Sequence, residues 1–192
     1  VILKYFPYQP YPQNMQVRFL FVGRVMREKG IDELFAAAKR LHWDGAAVEC
    51  HVVGSFEEAY KSAMDALEQA GVVRCHGYQA DMRPWYAMAD CVVLPSYHEG
   101  MSNVLLEAAA SGRPLITSDI PGCREAVAPG ESGLLCPPQD AEALYETLQA
   151  FLALPAAARA EMGRRGRARM EARFDKAAVV AETVRHLELR HG

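Results

Sequence analysis

Cys91-Val92-Val93-Leu94-Pro95-Ser96-Tyr97-His98-Glu99-Gly100-Met101-Ser102-Asn103-Val104-Leu105-Leu106-Glu107 is the run that decides the fold of this chain. Its first four residues read as a buried strand and Pro95 to Ser102 as a Gly-containing loop. A helix then begins near Asn103 and closes on Ala110-Ser111-Gly112-Arg113-Pro114, where Gly112 fits the C′ position and Pro114 the stop just beyond it. A strand that passes through a short loop into a helix leaves the unpaired N–H groups of the first helical turn facing the strand's carboxyl end, a setting that suits a phosphate. Two carboxylates border that place: Glu99 on the loop and Glu107 about one turn inside the helix, eight positions further on. Carboxylate oxygens accept hydrogen bonds from sugar hydroxyls, so the pair beside a phosphate site suggests a nucleotide sugar. Ser102 or Asn103 is the expected N-cap, and Gly100, Met101, Ser102, Asn103 and Val104 are expected to turn backbone N–H groups toward the ligand.

Outward from this run, strand-like and helix-like segments alternate. Val17–Val22, Val48–Val53, Val72–Cys75, Cys91–Leu94 and Leu115–Thr117 read as strands. Helices are expected near Ile31–Leu41, Glu57–Ala70, Met82–Met88 and Asn103–Ser111, then in the tail near Ala141–Leu152, Ala156–Arg173 and Lys176–Arg190. Such alternation predicts an α/β, Rossmann-like parallel sheet with right-handed crossovers and helices on both faces. Its ligands gather at the carboxyl ends of the strands. Val1–Gln16 carries Pro7, Pro10 and Pro12 and reads as a linker rather than an element.

Composition excludes several classes. At 192 residues the chain is long enough for one sizeable core, and a formal net charge of −3 gives no cause to expect nucleic acid. Five cysteines, an odd number without Cys-x-x-Cys spacing, read as free thiols in a reducing cytoplasm. No apolar run approaches a membrane span, and no His/Cys/Asp cluster has metal-ligand spacing.

The chain resembles the donor-binding, C-terminal half of retaining GT-B glycosyltransferases of family 4, whose hallmark is the Glu-x7-Glu run seen at Glu99 and Glu107. Val22-Gly23-Arg24, Glu28-Lys29-Gly30, Val53-Gly54, His76-Gly77-Tyr78, Ala89-Asp90, Pro95-Ser96, Gly112-Arg113-Pro114 and Gly133-Leu134-Leu135 fall in the family's order. The resemblance extends from about Val17 to Phe174. It implies transfer of a hexose or N-acetylhexosamine from a nucleotide sugar, a UDP-sugar first of all, to a glycan or lipid-linked acceptor in bacterial surface polysaccharide synthesis. It also implies that Arg24, after Gly23, and Lys29, before Gly30, hold the donor diphosphate without an obligatory metal or other cofactor. Cations fixed there favour the charge that grows on a departing phosphate. Glu107 matches the glutamate on the ribose, and Glu99 the one at the donor sugar, where it stabilises positive charge at the anomeric carbon rather than attacking it. His76, Gly77 and Tyr78 match the place of the base. Tyr78 is then a stacking surface or a packing residue, and His76 and His98 read as hydrogen-bonded structural histidines.

The family has two Rossmann-like domains, and this chain begins roughly where the linker between them is expected. Residues 1–16 are therefore expected to be a linker remnant, 17–174 the donor domain, and 175–192 a helix for the missing N-terminal, acceptor-binding domain, with an apolar stripe of Val180, Val184 and Leu187. Transfer by this piece alone is not expected. Arg159, Arg164, Arg165, Arg167, Arg169 and Arg173 make the penultimate helix basic. A solvated face is the favoured account, and peripheral contact of the full-length enzyme with anionic lipid at the inner face of the plasma membrane is the other. Gly163 and Gly166 are expected to weaken that helix. A GT-B epimerase and a non-catalytic nucleotide-binding module are the alternatives; a dehydrogenase fares worst, since no Gly-x-Gly-x-x-Gly follows the first strand.

Overall fold

The computed structural model describes residues 2–190, with the side chains of 175–180, 182 and 188–190 outside the description. Six strands, β1 (Val17–Val22), β2 (Val48–Val53), β3 (Arg74–Cys75), β4 (Cys91–Leu94), β5 (Leu115–Ser118) and β6 (Gly133–Cys136), form a sheet in the order β3-β2-β1-β4-β5-β6. Every pairing is parallel. The helices are α1 (Ile2–Tyr5), α2 (Ile31–Trp43), α3 (Lys61–Gln69), α4 (Arg83–Met88), α5 (Asn103–Ala110), α6 (Ala141–Ala153) and α7 (Ala156–Arg190). All four residues of β4 and all four of β5 are buried, as expected of parallel strands covered on both faces. In α2, Ile31, Leu34, Phe35, Ala38 and Leu41 recur at helical spacing and supply its buried face.

The predicted end of α5 is present in full. Gly112 adopts φ 80°, its N–H donates to Ala109, and the Arg113 N–H donates to Ala108. These are the paired bonds of a Schellman motif.

Several expectations need correction. Gly133-Leu134-Leu135 is part of a strand, β6, which pairs with β5 from Leu115↔Gly133 to Ser118↔Cys136. The expected helix from Glu57 is a short 3-10 turn, Glu58–Tyr60, followed by α3, and β3 is two residues long. The last two tail helices expected, Ala156–Arg173 and Lys176–Arg190, are one, α7. Gly163 does not weaken it at a free surface: a Cβ there would lie 2.0 Å from the carbonyl oxygen of Gly112, so the glycine is what lets α7 rest on the α5–β5 corner. Tertiary contact overrides propensity here. The α7 arginines are largely engaged within the domain. Arg167 donates to the carbonyls of Phe6 and Ala110 at 2.9 and 2.8 Å, Arg169 to that of Glu125, and Arg164 and Arg165 pair with Glu161. Val184 and Leu187 are exposed as expected; the Val180 side chain lies outside the described residues.

The amino-terminal segment also differs from expectation. It contains α1, and its chain is fastened to the domain by the fully buried Arg113. The Arg113 guanidinium donates to the carbonyls of Ala89, Gln9 and Pro10, while Tyr11 Oη donates to the Asp90 carbonyl at 2.8 Å. Asp90, itself buried, accepts from the Arg18 N–H and the Asn14 amide, both at 2.8 Å. Buried carbonyls need donors, and one fork-shaped cation supplies several at once.

Candidate functional site

In this strand order the chain leaves β1 and β4, the central neighbours, toward opposite edges of the sheet, which opens a crevice at their carboxyl ends. Gly23-Arg24 follows β1, and the Pro95–Ser102 loop follows β4. Two glycines draw the walls together. Gly30, at φ 73°, opens α2 so close to the end of β4 that a Cβ would lie 1.9 Å from the Pro95 carbonyl oxygen. Gly122, at φ 89°, approaches the β4 loop so closely that a Cβ would lie 1.7 Å from the Gly100 carbonyl oxygen. A left-handed backbone at both points suits glycine alone.

Within the crevice, Lys29 Nζ stands 2.5 Å from Glu99 Oε1, and Ser96 Oγ donates to the same oxygen at 2.8 Å. The two charged side chains keep 28% and 12% of their surface, enough to be reached by a ligand yet shielded from bulk screening. Arg24 is exposed and makes no hydrogen bond or ion pair among the described residues. Ser102 is the N-cap of α5, its Oγ accepting from the Leu105 N–H at 3.3 Å. The N–H groups of Asn103 and Val104, in the first turn, have no intrahelical acceptor. They open on the Gly100–Ser102 side of the crevice, and Ser102 is tied by its own N–H to the Gly122 carbonyl at 3.3 Å.

Glu107 has a different partner. Tyr86 Oη, fully buried, donates to Glu107 Oε2 at 2.8 Å. Burial raises the Glu107 pKa above the ordinary carboxylate range, and the Tyr86 hydrogen bond opposes that rise. Oε1 accepts no hydrogen bond among the described residues and remains for a ligand. Tyr86 eluded sequence reasoning, because nothing in the residues ties position 86 to position 107; Ser96 stands in the Pro95-Ser96 pair, and its contact with Glu99 follows only from the loop's fold.

The structure brings Lys29, Ser96 and Glu99 into contact and sets Arg24, Gly23 and the 100–104 loop around them by position. Tyr78 is 77% exposed after β3, so it is not a packing residue. Gly77 adopts φ 68° and its carbonyl accepts from the Gly54 N–H at 2.8 Å, which links the ends of β3 and β2. His76 is tied to His51 and lies against Trp85, neither of which the sequence pointed to. Met101 is half exposed, with Arg173 Nη2 3.9 Å from its sulfur. Among the described residues no three His, Cys, Asp or Glu side chains gather as a metal site, and no helix is long and apolar enough to cross a membrane.

Residues 16–153 match the family described as Glycosyl transferases group 1. Glycogen synthase of Mycobacterium tuberculosis (strain CDC 1551 / Oshkosh) is 33% identical over 177 residues, which cover 90% of this chain and 42% of that protein. Among solved structures, sucrose-phosphate synthase from Thermosynechococcus elongatus superposes with a TM-score of 0.80 at 30% identity, over 99% of this chain and 51% of that one. Anabaena Alr3699/HepE, in complex with UDP, superposes with a TM-score of 0.76 at 21% identity, over 90% of this chain and 49% of that one, a likeness of fold. The chain thus spans about half the length of these proteins or less.

Proposed function

The chain belongs to the Glycosyl transferases group 1 family, and from that premise we propose that it is the donor-binding half of a retaining GT-B enzyme that takes its sugar from a UDP-sugar. The observation that carries this is the Lys29–Glu99 contact beside the first turn of α5, with the unpaired Arg24 on the same rim. Arg24 and Lys29 take the diphosphate. The N–H groups of Asn103 and Val104 take its remaining oxygens, Glu107 Oε1 the ribose, and Glu99 the sugar. UDP as the nucleotide is supported by the UDP bound to the similarly folded HepE.

The cations do two things in sequence. They bind the donor, and they lower the cost of charge accumulating on the β-phosphate as its bond to the anomeric carbon breaks. Glu99, held by Ser96 and Lys29, is fixed where a carboxylate opposes developing positive charge on the sugar. Acceptor hydroxyl and leaving phosphate then meet on one face of the sugar, consistent with retention. The acceptor is a glycan or lipid-linked sugar held by a second domain.

Because two side-chain cations stand where a metal would serve, UDP is expected to bind this chain in EDTA. Calorimetry with and without magnesium reads the same affinity if that is so. Heat of binding seen only with added metal overturns the metal-free site, and absence of binding by every nucleoside diphosphate overturns the donor site itself.

A further inference from the structure

Between Ser96 and Glu99 the β4 loop is tied to the opening of α2 by Tyr97. Its N–H donates to the Glu28 carbonyl at 2.8 Å, within the 3-10 turn Arg27–Lys29. Its Oη donates to Glu33 Oε1 at 2.5 Å, in the first turn of α2. Lys29, between those two attachment points in sequence, reaches back to Glu99 at 2.5 Å. Gly30 is pressed against the Pro95 carbonyl beside them. Residues 28–33 and 95–99 are thus stitched together by backbone, by side chain and by close contact.

The Tyr97 hydroxyl is the donor of this pair at neutral pH, because burial and then Glu33 push its pKa up to about 12, with Arg27 opposing. Glu33 Oε2, by contrast, is buried and has no hydrogen-bond partner among the described residues. A buried carboxylate oxygen without a donor costs stability, and two apolar side chains of similar shape would fill the space without that cost. Stability alone therefore does not account for the pair. A hydrogen bond differs from apolar packing in demanding one distance and one direction. The turn held to that geometry carries Ser96 and Glu99, and both bonds that Glu99 accepts, from Lys29 and from Ser96 Oγ, fall on Oε1. Oε2 is left for a ligand.

We propose that Tyr97 and Glu33 are positioning residues for recognition of the donor sugar: their hydrogen bond fixes the 96–99 turn against the opening of α2, so that Glu99 meets Lys29 with one oxygen and a sugar hydroxyl with the other. The proposal rests on the nucleotide-sugar reading above. Neither residue touches the donor. A carboxylate shifted by a fraction of an ångström loses an oriented bond to a hydroxyl, whereas a diphosphate held by Arg24, Lys29 and the helix amides keeps its contacts. The pair therefore acts on the sugar and spares the nucleotide.

Calorimetry of UDP and UDP-glucose on the 192-residue chain tests this, with melting temperatures read on the same samples. The native chain is expected to prefer UDP-glucose. In Tyr97→Phe, in Glu33→Leu and in the variant carrying both, that preference is expected to fall by about threefold to tenfold, the scale of one hydrogen bond, while UDP affinity is kept. The double variant is expected to lose no more than either single one, because the partners act as a unit. Glu33→Gln keeps an acceptor for Tyr97 Oη and is expected to retain the native preference. The double variant, with both partners apolar, is expected to melt at or above the native temperature, which separates the lost preference from a loosened fold. An unchanged preference in Tyr97→Phe, equal losses on UDP and UDP-glucose, additive losses in the double variant or its melting well below the native chain, or a Glu33→Gln that behaves as Glu33→Leu, overturns the proposal while the donor site stands. Equal binding of UDP and UDP-glucose by the native chain overturns the role of Glu99 at the sugar with it, and binding of neither overturns the donor site as well.

Discussion

Glu99 and Glu107 differ in what already holds them, and that difference separates their roles. Glu107 is gripped by Tyr86 through one oxygen; on the function proposed above its other oxygen takes the ribose, a part common to UDP and UDP-sugar. Glu107→Ala is expected to weaken both ligands alike by about 1.5–3 kcal/mol, the cost of a hydrogen bond to a charged group. Glu99→Ala removes the proposed contact to the sugar but also frees Lys29 from its carboxylate. UDP is then expected to bind as well as before or better, while UDP-glucose loses its advantage. Titration of both ligands against both variants decides it, and equal losses on UDP overturn the division of labour. The two glutamates stand out only in the company of the motifs that carry the family resemblance, since carboxylates eight apart are by spacing alone a solvated face. Tyr86, Ser96 and Glu33 were not legible, because each acts through a neighbour that only the fold supplies.

At the scale of elements, the β4 loop is held in place by the close passage of Gly122. A methyl group at that position cannot coexist with the Gly100 carbonyl, and the left-handed φ adds strain of about 1 kcal/mol or more. Gly122→Ala is expected to displace Ser102 and the start of α5, lowering UDP affinity at least about tenfold while costing only a few degrees in melting temperature. Unchanged affinity would show that the loop is positioned by something else. On the other side of the sheet, Glu49 links β1 and β3 through Arg18 and Arg74 and reaches His51 within its own strand. Burial would raise its pKa, but the His51 hydrogen bond and the two arginines outweigh burial, and the net shift is downward. The folded-state value therefore lies below the unfolded one. Stability from Glu49 is present above the ordinary carboxylate range and is lost as pH falls through the lowered value. Urea midpoints of native chain and Glu49→Gln are expected to differ at pH 7 and to converge as pH falls through the lowered Glu49 value. The segments that carried a period or a cap were read well, α2 and α5 above all. β6 eluded the reading because four residues opening on glycine show no alternation, and the break expected between Arg173 and Lys176 is absent from the single helix α7.

For the whole molecule, the doubly wound sheet was visible in the alternation of segments, whereas the fastening of residues 9–14 to Arg113 and Asp90 was not, since it depends on buried carbonyls far away in sequence. A donor site without an acceptor site leaves the bimolecular part of the reaction unassisted. Holding two reactants in register is worth about 7–11 kcal/mol. This chain alone is accordingly expected to bind UDP-sugar and to transfer none, while the same chain joined to an acceptor-binding half transfers radiolabelled sugar. Comparable acceptor-dependent turnover by both would make the 192 residues a complete enzyme. The Lys29–Glu99 contact also bears on what the protein ignores. Any anion arriving at Lys29 must take the place of a carboxylate that is tethered there and never diffuses away. Chloride or a lone orthophosphate offers little beyond what it evicts, so such small solutes are expected to lose that exchange. If the donor site is as proposed, a pyrophosphate is expected to prevail because it reaches Arg24 and the helix amides in the same step, and the crevice would then select among anions by reach rather than by charge.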